Sequence, residues 1–127
     1  MASFMSSYSS QTYALLRIVT GLLFALHGSQ KLLSFPMDAH AGLPGFITYV
    51  AGPIEMIGGV LIAVGLLTTW AAFLSSGLMA VAYWMAHGTK ALFPMENQGE
   101  LAVVYCFVFL FISAQGSGIW SVDEARR

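Results

Sequence analysis

The sequence predicts an all-α integral membrane protein, a four-helix bundle with up-down connectivity, and three observations carry that reading. Of 127 residues, 57% are hydrophobic and 9% are charged, against roughly 25% charged in soluble domains. Four apolar blocks reach or approach the roughly 20 residues that a helix needs to cross a bilayer, and turn-rich segments separate them. In the first block the polar residues share one face. Arg17, Thr20, His27 and Lys31 fall with Gly21, Phe24 and Gly28 within an arc of roughly 120° on a helical wheel. An ionisable group in hydrocarbon costs about 3 kcal/mol or more, so this stripe must face protein or a water-filled cavity.

The blocks read as one transmembrane domain over 1–127, with helices at 11–33, 46–67, 70–87 and 99–114. The polar N-terminal stretch lacks Lys and Arg, and the run behind it is too long for a signal-peptide core, so it reads as a tail before a retained helix. Pro36, Gly42, Pro44 and Gly45 mark the first loop, which also carries Asp38 and His40. Glu55 is the only charge in the second block. Ala51, Glu55, Gly59 and Ala63 recur every fourth residue there, a small-residue stripe that sets the carboxylate against a neighbouring helix. Pro53 loosens the hydrogen bonding beside it. The third block carries no charge. Arg126, Arg127 and Arg17 outweigh Lys31 and Lys90 across the expected spans, which places both termini in the cytoplasm.

Composition also excludes functions. A net charge of −1 leaves no basic footprint for nucleic acid. Cys106 is the sole cysteine, so neither a disulfide nor a Cys-x-x-Cys pair forms within the chain, and redox chemistry requires a bound ligand or a partner's thiols. The Gly-striped helices suit association with a second copy.

Up-down connectivity brings His27, Lys31, His87, Asn97 and Glu100 to the outer side, with Glu55 partway down and Tyr83 one turn before His87. The functional reading is an outer-half pocket in which Glu55 and Glu100 exchange protons, while His27, Lys31, Tyr83, His87 and Asn97 bind a quinone-like or small sulfur-containing ligand. The plainer reading has Lys31 and Glu100 reaching the headgroups, the histidines bonding to carbonyls, and Glu55 paired with one cation to fix packing. A haem between His27 and His87 is set aside because few small residues make room for a macrocycle. A metal held by His27, His87, Glu55 and Glu100 is set aside because the spacing is not diagnostic. Arg17 belongs to the other end, where an ion pair with Asp123, or with Glu124, pins the tail. Tyr13 and Trp120 read as interfacial anchors there.

The residues also carry a resemblance that covers nearly the whole chain. They are Arg17-x-x-x-Gly21, His27-Gly28-x-x-Lys31-Leu32, Glu55-x-x-Gly58-Gly59, Gly65-Leu66-x-Thr68, His87 before Asn97-x-Gly99-Glu100, and Gly116-x-Gly118-x-Trp120-Ser121-x-Asp123. With these the chain resembles the DoxX family of small bacterial four-helix membrane proteins, departing from it at Gln98 and Ser117. The resemblance implies a cytoplasmic-membrane protein linked to oxidoreductase chemistry, since the family is named for likeness to a subunit of a thiosulfate:quinone oxidoreductase and its members are associated with redox partners. A non-catalytic anchor, a scaffold for redox enzymes or a small-solute carrier is the alternative from a different class.

Overall fold

The computed structural model describes residue 1 and residues 3–127, and these are helical, with no strand among the described residues. The helices are α1 (Ser9–Leu33), α2 (Gly52–Val64), α3 (Thr68–Ala86), the short α4 (Pro94–Asn97), α5 (Glu100–Gln115) and a last turn, α6 (Val122–Ala125). A 3₁₀ turn at Ser6–Tyr8 leads into α1, and a π-helical turn at Ile47–Ala51 leads into α2. With these lead-in turns, three stretches among the described residues are long and apolar enough to cross a membrane: Ser6–Leu33, Ile47–Val64 and Thr68–Ala86. The fourth expected span falls short. α5 has 16 residues, about 24 Å of helical rise against about 30 Å of hydrocarbon. The backbone turns of Gln98 and Gly116, both at positive φ, bound it on either side.

The exterior is apolar and the interior holds charge. Trp70, Leu74, Trp84 and Phe107 are 71, 63, 64 and 64% exposed, whereas Arg17 is 0% and Glu55 3% exposed. A soluble domain sorts these residues the other way. Here the apolar side chains form the surface that lipid covers, and the polar groups find partners within the protein.

α1 and α2 run antiparallel in backbone contact. A Cβ on Gly28 would stand 2.2 Å from the Met56 nitrogen and 2.6 Å from the Gly52 carbonyl. One on Gly59 would meet the Ala25 nitrogen at 2.4 Å and the Gly21 carbonyl at 2.6 Å. The buried stripe Ala51, Glu55, Gly59 and Ala63 therefore lies along α1, and this close approach carries Lys31 and Glu55 to one another. α3 and α5 form a second antiparallel pair, in which the Ser76 hydroxyl donates to the Cys106 carbonyl at 2.7 Å. Phe24 joins the pairs, its ring 4.7 Å from Phe109 and 5.3 Å from Tyr105. Ile62, Ala72, Phe109 and Ile112 complete the dry core around it.

Gly28→Val tests the α1–α2 contact. Backbone, not a flexible side chain, occupies the space a Cβ needs, so the helices must separate, at a cost of about 2–3 kcal/mol. Thermal unfolding in detergent will show a lowered midpoint. Gly77→Ala is the control, because nothing lies within 4 Å of the Cβ position there.

Candidate functional site

Glu55 owes its position to a local backbone defect. Pro53 has no N–H, and the chain before it widens into the π-helical turn, where the Gly52 N–H donates to the Ile47 carbonyl five residues back. The turn delivers Glu55 to the α1 side of α2. There its Oε2 accepts from Lys31 Nζ in a contact ion pair, the lysine side chain 19% and the carboxylate 4% exposed. His27 lies one turn before Lys31 on the same face of α1. Its ring meets the edge of Tyr105 at 6.0 Å and 84°, and Tyr105 stacks on Phe109 at 5.4 Å. Tyr105 is 5% exposed and was not singled out by sequence reasoning, because in an apolar run it looks like one more aromatic. Its place opposite His27 depends on which face of α5 turns inward.

The expected convergence of six groups divides into two clusters. In the second, Asn97 Nδ2 donates to the Tyr83 hydroxyl at 3.0 Å and to the Ala91 carbonyl at 3.2 Å, and its Oδ1 accepts from the Gly99 N–H at 2.8 Å. His87 Nδ1 lies 3.0 Å from the Asn97 carbonyl, which accepts its N–H. Asn97 is 4% exposed with both ends of its amide engaged, so this group closes the turn between α4 and α5. Glu100 joins neither cluster. It sits exposed in the first turn of α5, because the α4–α5 turn points its side chain outward. Among the described residues no three of His, Cys, Asp and Glu come close enough to hold a metal ion.

Arg17 and Asp123 both hold the tail, but they do not pair with each other. The Arg17 guanidinium is fully buried and forks between two chain segments. Nη1 donates to the Ile62 and Ala63 carbonyls at 3.0 and 2.9 Å, and Nη2 to those of Ile119 and Trp120 at 3.1 and 2.7 Å. Ile62 and Ala63 lie in the last turn of α2, whose carbonyls form the negative end of its dipole, the Ile62 carbonyl also accepting the Gly65 N–H at 3.2 Å. The expected ion pair does not form, because backbone carbonyls of the α2 end and the tail take the guanidinium while N–H and hydroxyl donors at the start of α3 take the carboxylate. Asp123 Oδ1 accepts from the Leu67 N–H at 3.0 Å, and Oδ2 from the Thr68 N–H and hydroxyl at 3.0 and 2.9 Å, capping α3 from outside. Gly65, at φ 73°, lets the chain turn between these sites, and its carbonyl accepts the Asp123 N–H at 2.8 Å.

The Thr68 and Leu67 donors hold the Asp123 carboxyl below the usual range for an aspartate, with Arg126 adding to the effect. A lowered pKa in the folded state means that the cap stabilises fully above the unfolded value, about 3.9, and that this contribution fades as pH falls through the folded value. Trp120 fluorescence should therefore stay constant from neutral pH down to about 4 and change below it. Asp123→Asn should remove that transition and cost about 1 kcal/mol, as loss of a helix cap does.

Two surface grooves among the described residues stand apart from His27, Lys31 and Glu55, none of which lines either. The larger, about 610 Å³, lies between the N-terminal turns of α1, the end of α5 and the tail. The smaller, about 220 Å³, is an apolar cleft between α2 and α3.

Comparison with known proteins adds three findings. The family model described as DoxX matches residues 12–88, more than half of the chain. An uncharacterized protein of Haemophilus influenzae is 38% identical over 126 residues, 94% of each chain. A Bacillus subtilis protein named "Putative oxidoreductase CatD" is 43% identical over 113 residues, 86% of this chain and 82% of its own. No solved structure matches the chain with significance.

Proposed function

The chain belongs to the DoxX family of membrane proteins, and from that premise we propose that it is an inner-membrane oxidoreductase, or a subunit of one, whose working site is the Lys31–Glu55 pair. The carrying observation is that pair itself, its carboxylate buried and its lysine largely covered in a molecule whose exterior is apolar. In this reading all four long helices span the bilayer in up-down order, with both termini in the cytoplasm. His27 and Tyr105 flank the pair, and a quinone-like or small sulfur-containing ligand reaches it by parting Lys31 from Glu55. Lys31 then holds the ligand's electron-rich oxygen or sulfur, and His27 orients it. Two opposite charges in a low-dielectric interior do not separate unless each finds a new partner, so parting them couples ligand binding to gain or loss of a proton at Glu55. The ligand supplies the electron chemistry. The name of the Bacillus relative supports the oxidoreductase class.

Equilibrium dialysis of vesicles against a short-tailed quinone tests this reading. Saturable binding is expected, about tenfold weaker in Lys31→Met, which lacks the group that holds the ligand, and unchanged in Glu100→Gln because Glu100 stands outside the cluster. Binding that rises linearly and equally in all three proteins would sink the reading.

A second reading has its own observation. Asn97 and Arg17, both polar and buried, are engaged by the protein's own groups, as befits a rigid module that anchors redox enzymes, alone or as a homo-oligomer. Recovery of a stoichiometric redox enzyme in a crosslinked pull-down, with the Glu55→Gln protein retaining it, favours the module.

A further inference from the structure

The groove at the terminal end belongs to neither reading above. By helical rise it lies about 25 Å from Lys31 along α1, and it is built from three segments. α1 contributes Ser9, Ser10, Thr12, Tyr13 and Leu16, α5 contributes Phe111 and Gln115, and the tail contributes Gly118, Ile119 and Glu124. Its contents are ordered by polarity. Hydroxyls, an amide and a carboxylate form the mouth, while Leu16 and Phe111, 37 and 51% exposed, continue onto the apolar flank. A ligand that fills it must be an amphiphile lying at the membrane boundary with its tail along the protein surface.

The charge of the head follows from the lining. Glu124 is the only charged residue in it, with no Lys or Arg. The last turn of α5 ends beside it at Gln115, presenting the negative end of a helix dipole. The aromatic rings of Tyr13 and Phe111, edge to face at 5.8 Å and 84°, offer electron-rich faces to a cation. Arg17, one turn on from Tyr13, keeps its charge but stands buried outside the lining, its terminal nitrogens turned to backbone carbonyls of α2 and the tail. Two cation-attracting features, the Glu124 carboxylate and the end of α5, therefore meet at a mouth that also holds the Tyr13 ring and oxygen acceptors from Ser9, Ser10, Thr12 and Gln115. Such acceptors are matched by an ammonium that still bears N–H groups. The geometry points to a binding site for an amphiphile with a primary ammonium head, an ethanolamine phospholipid or a free long-chain amine, with the head at Glu124 and Gln115 and the first methylenes along Leu16 and Phe111.

The shape of the groove is held independently of Glu124's side chain. Tyr13 donates its hydroxyl to the Gly116 carbonyl and packs its ring over Gly118, where a Cβ would come within 2.9 Å of it. The turn that carries Glu124 is closed by its backbone N–H donating to the Ser121 hydroxyl at 3.2 Å. The carboxylate's exposed contact with Arg127, at 3.6 Å with side chains 51 and 77% exposed, is of a kind that binds weakly and yields to a better cation.

The test uses the full chain in nanodiscs of equal ethanolamine, choline and glycerol phospholipids, with native mass spectrometry reading the lipid retained on ejection. Ethanolamine lipid should be retained about fivefold over the glycerol lipid, and over the choline lipid, whose head has no N–H. Dodecylamine should displace it. Glu124→Lys should reverse the preference toward the glycerol lipid, and Arg127→Gln should strengthen retention of the ethanolamine lipid. Displacement of a dodecylamine probe by itself, without ethanolamine enrichment, assigns the site to free amines. Enrichment that dodecylamine does not disturb assigns it to phospholipid. Equal retention of all three lipids with no dodecylamine binding, or an unchanged pattern in Glu124→Lys, overturns the proposal.

Discussion

Arg17→Ala will cost about 4 kcal/mol or more, the largest single loss expected from a side chain in this protein. The substitution leaves four carbonyls, of Ile62, Ala63, Ile119 and Trp120, without the donor that joins them. It also empties a fully buried volume. Arg17→Lys will recover little. A lysine brings the same charge, but its donors radiate from one atom and do not span two chain segments as a guanidinium fork does. Thermal unfolding in detergent measures the first effect, and limited proteolysis of the tail measures the second. A midpoint within about 2 °C of the parent for Arg17→Ala would remove the clamp from the account.

Breaking the Lys31–Glu55 pair from one side will cost about 3–5 kcal/mol, and removing both partners together will cost much less. Lys31→Met leaves a carboxylate 4% exposed with no cation, and Glu55→Leu leaves a lysine 19% exposed facing it. The double variant removes both charges from the interior and restores an apolar contact between α1 and α2. A double-mutant cycle on unfolding midpoints reads the coupling. Ligand binding separates function from scaffold: the double variant should fold and fail to bind. If it folds and binds as the parent does, the pair serves packing alone.

The all-helical fold was legible because each apolar block is longer than any strand and is bounded by glycine and proline. The polar stripe of α1 was legible from the helical period, which brings His27 and Lys31 onto the face where Gly21 and Gly28 meet α2. The small-residue stripe showed that Glu55 faces a neighbouring helix, but not that Lys31 is the cation it meets. Less legible was everything decided by turns. A sequence shows that Asn97 and Glu100 are three positions apart, but not that the left-handed turn at Gln98 buries one and exposes the other. It shows a lone arginine and a nearby aspartate, but not that helix ends offer each a better partner. Backbone carbonyls and N–H groups carry no letter in a sequence, and at this end of the molecule they decide the contacts. Tyr105 shows the same limit from the side of packing, since period alone does not say which face of a uniformly apolar helix turns inward.

The fork of Arg17 also imposes an order on synthesis. Its acceptors at Ile62 and Ala63 lie 45 and 46 residues downstream, and those at Ile119 and Trp120 lie 102 and 103 residues downstream. A growing chain therefore carries an unpartnered guanidinium until the end of α2 has emerged, and a partly satisfied one through α3 and α5. The two terminal nitrogens find all four of their acceptors only when nearly the whole polypeptide has left the ribosome. The last dozen residues act as a latch, and a chain stopped before them leaves Arg17 Nη2 without its two acceptors.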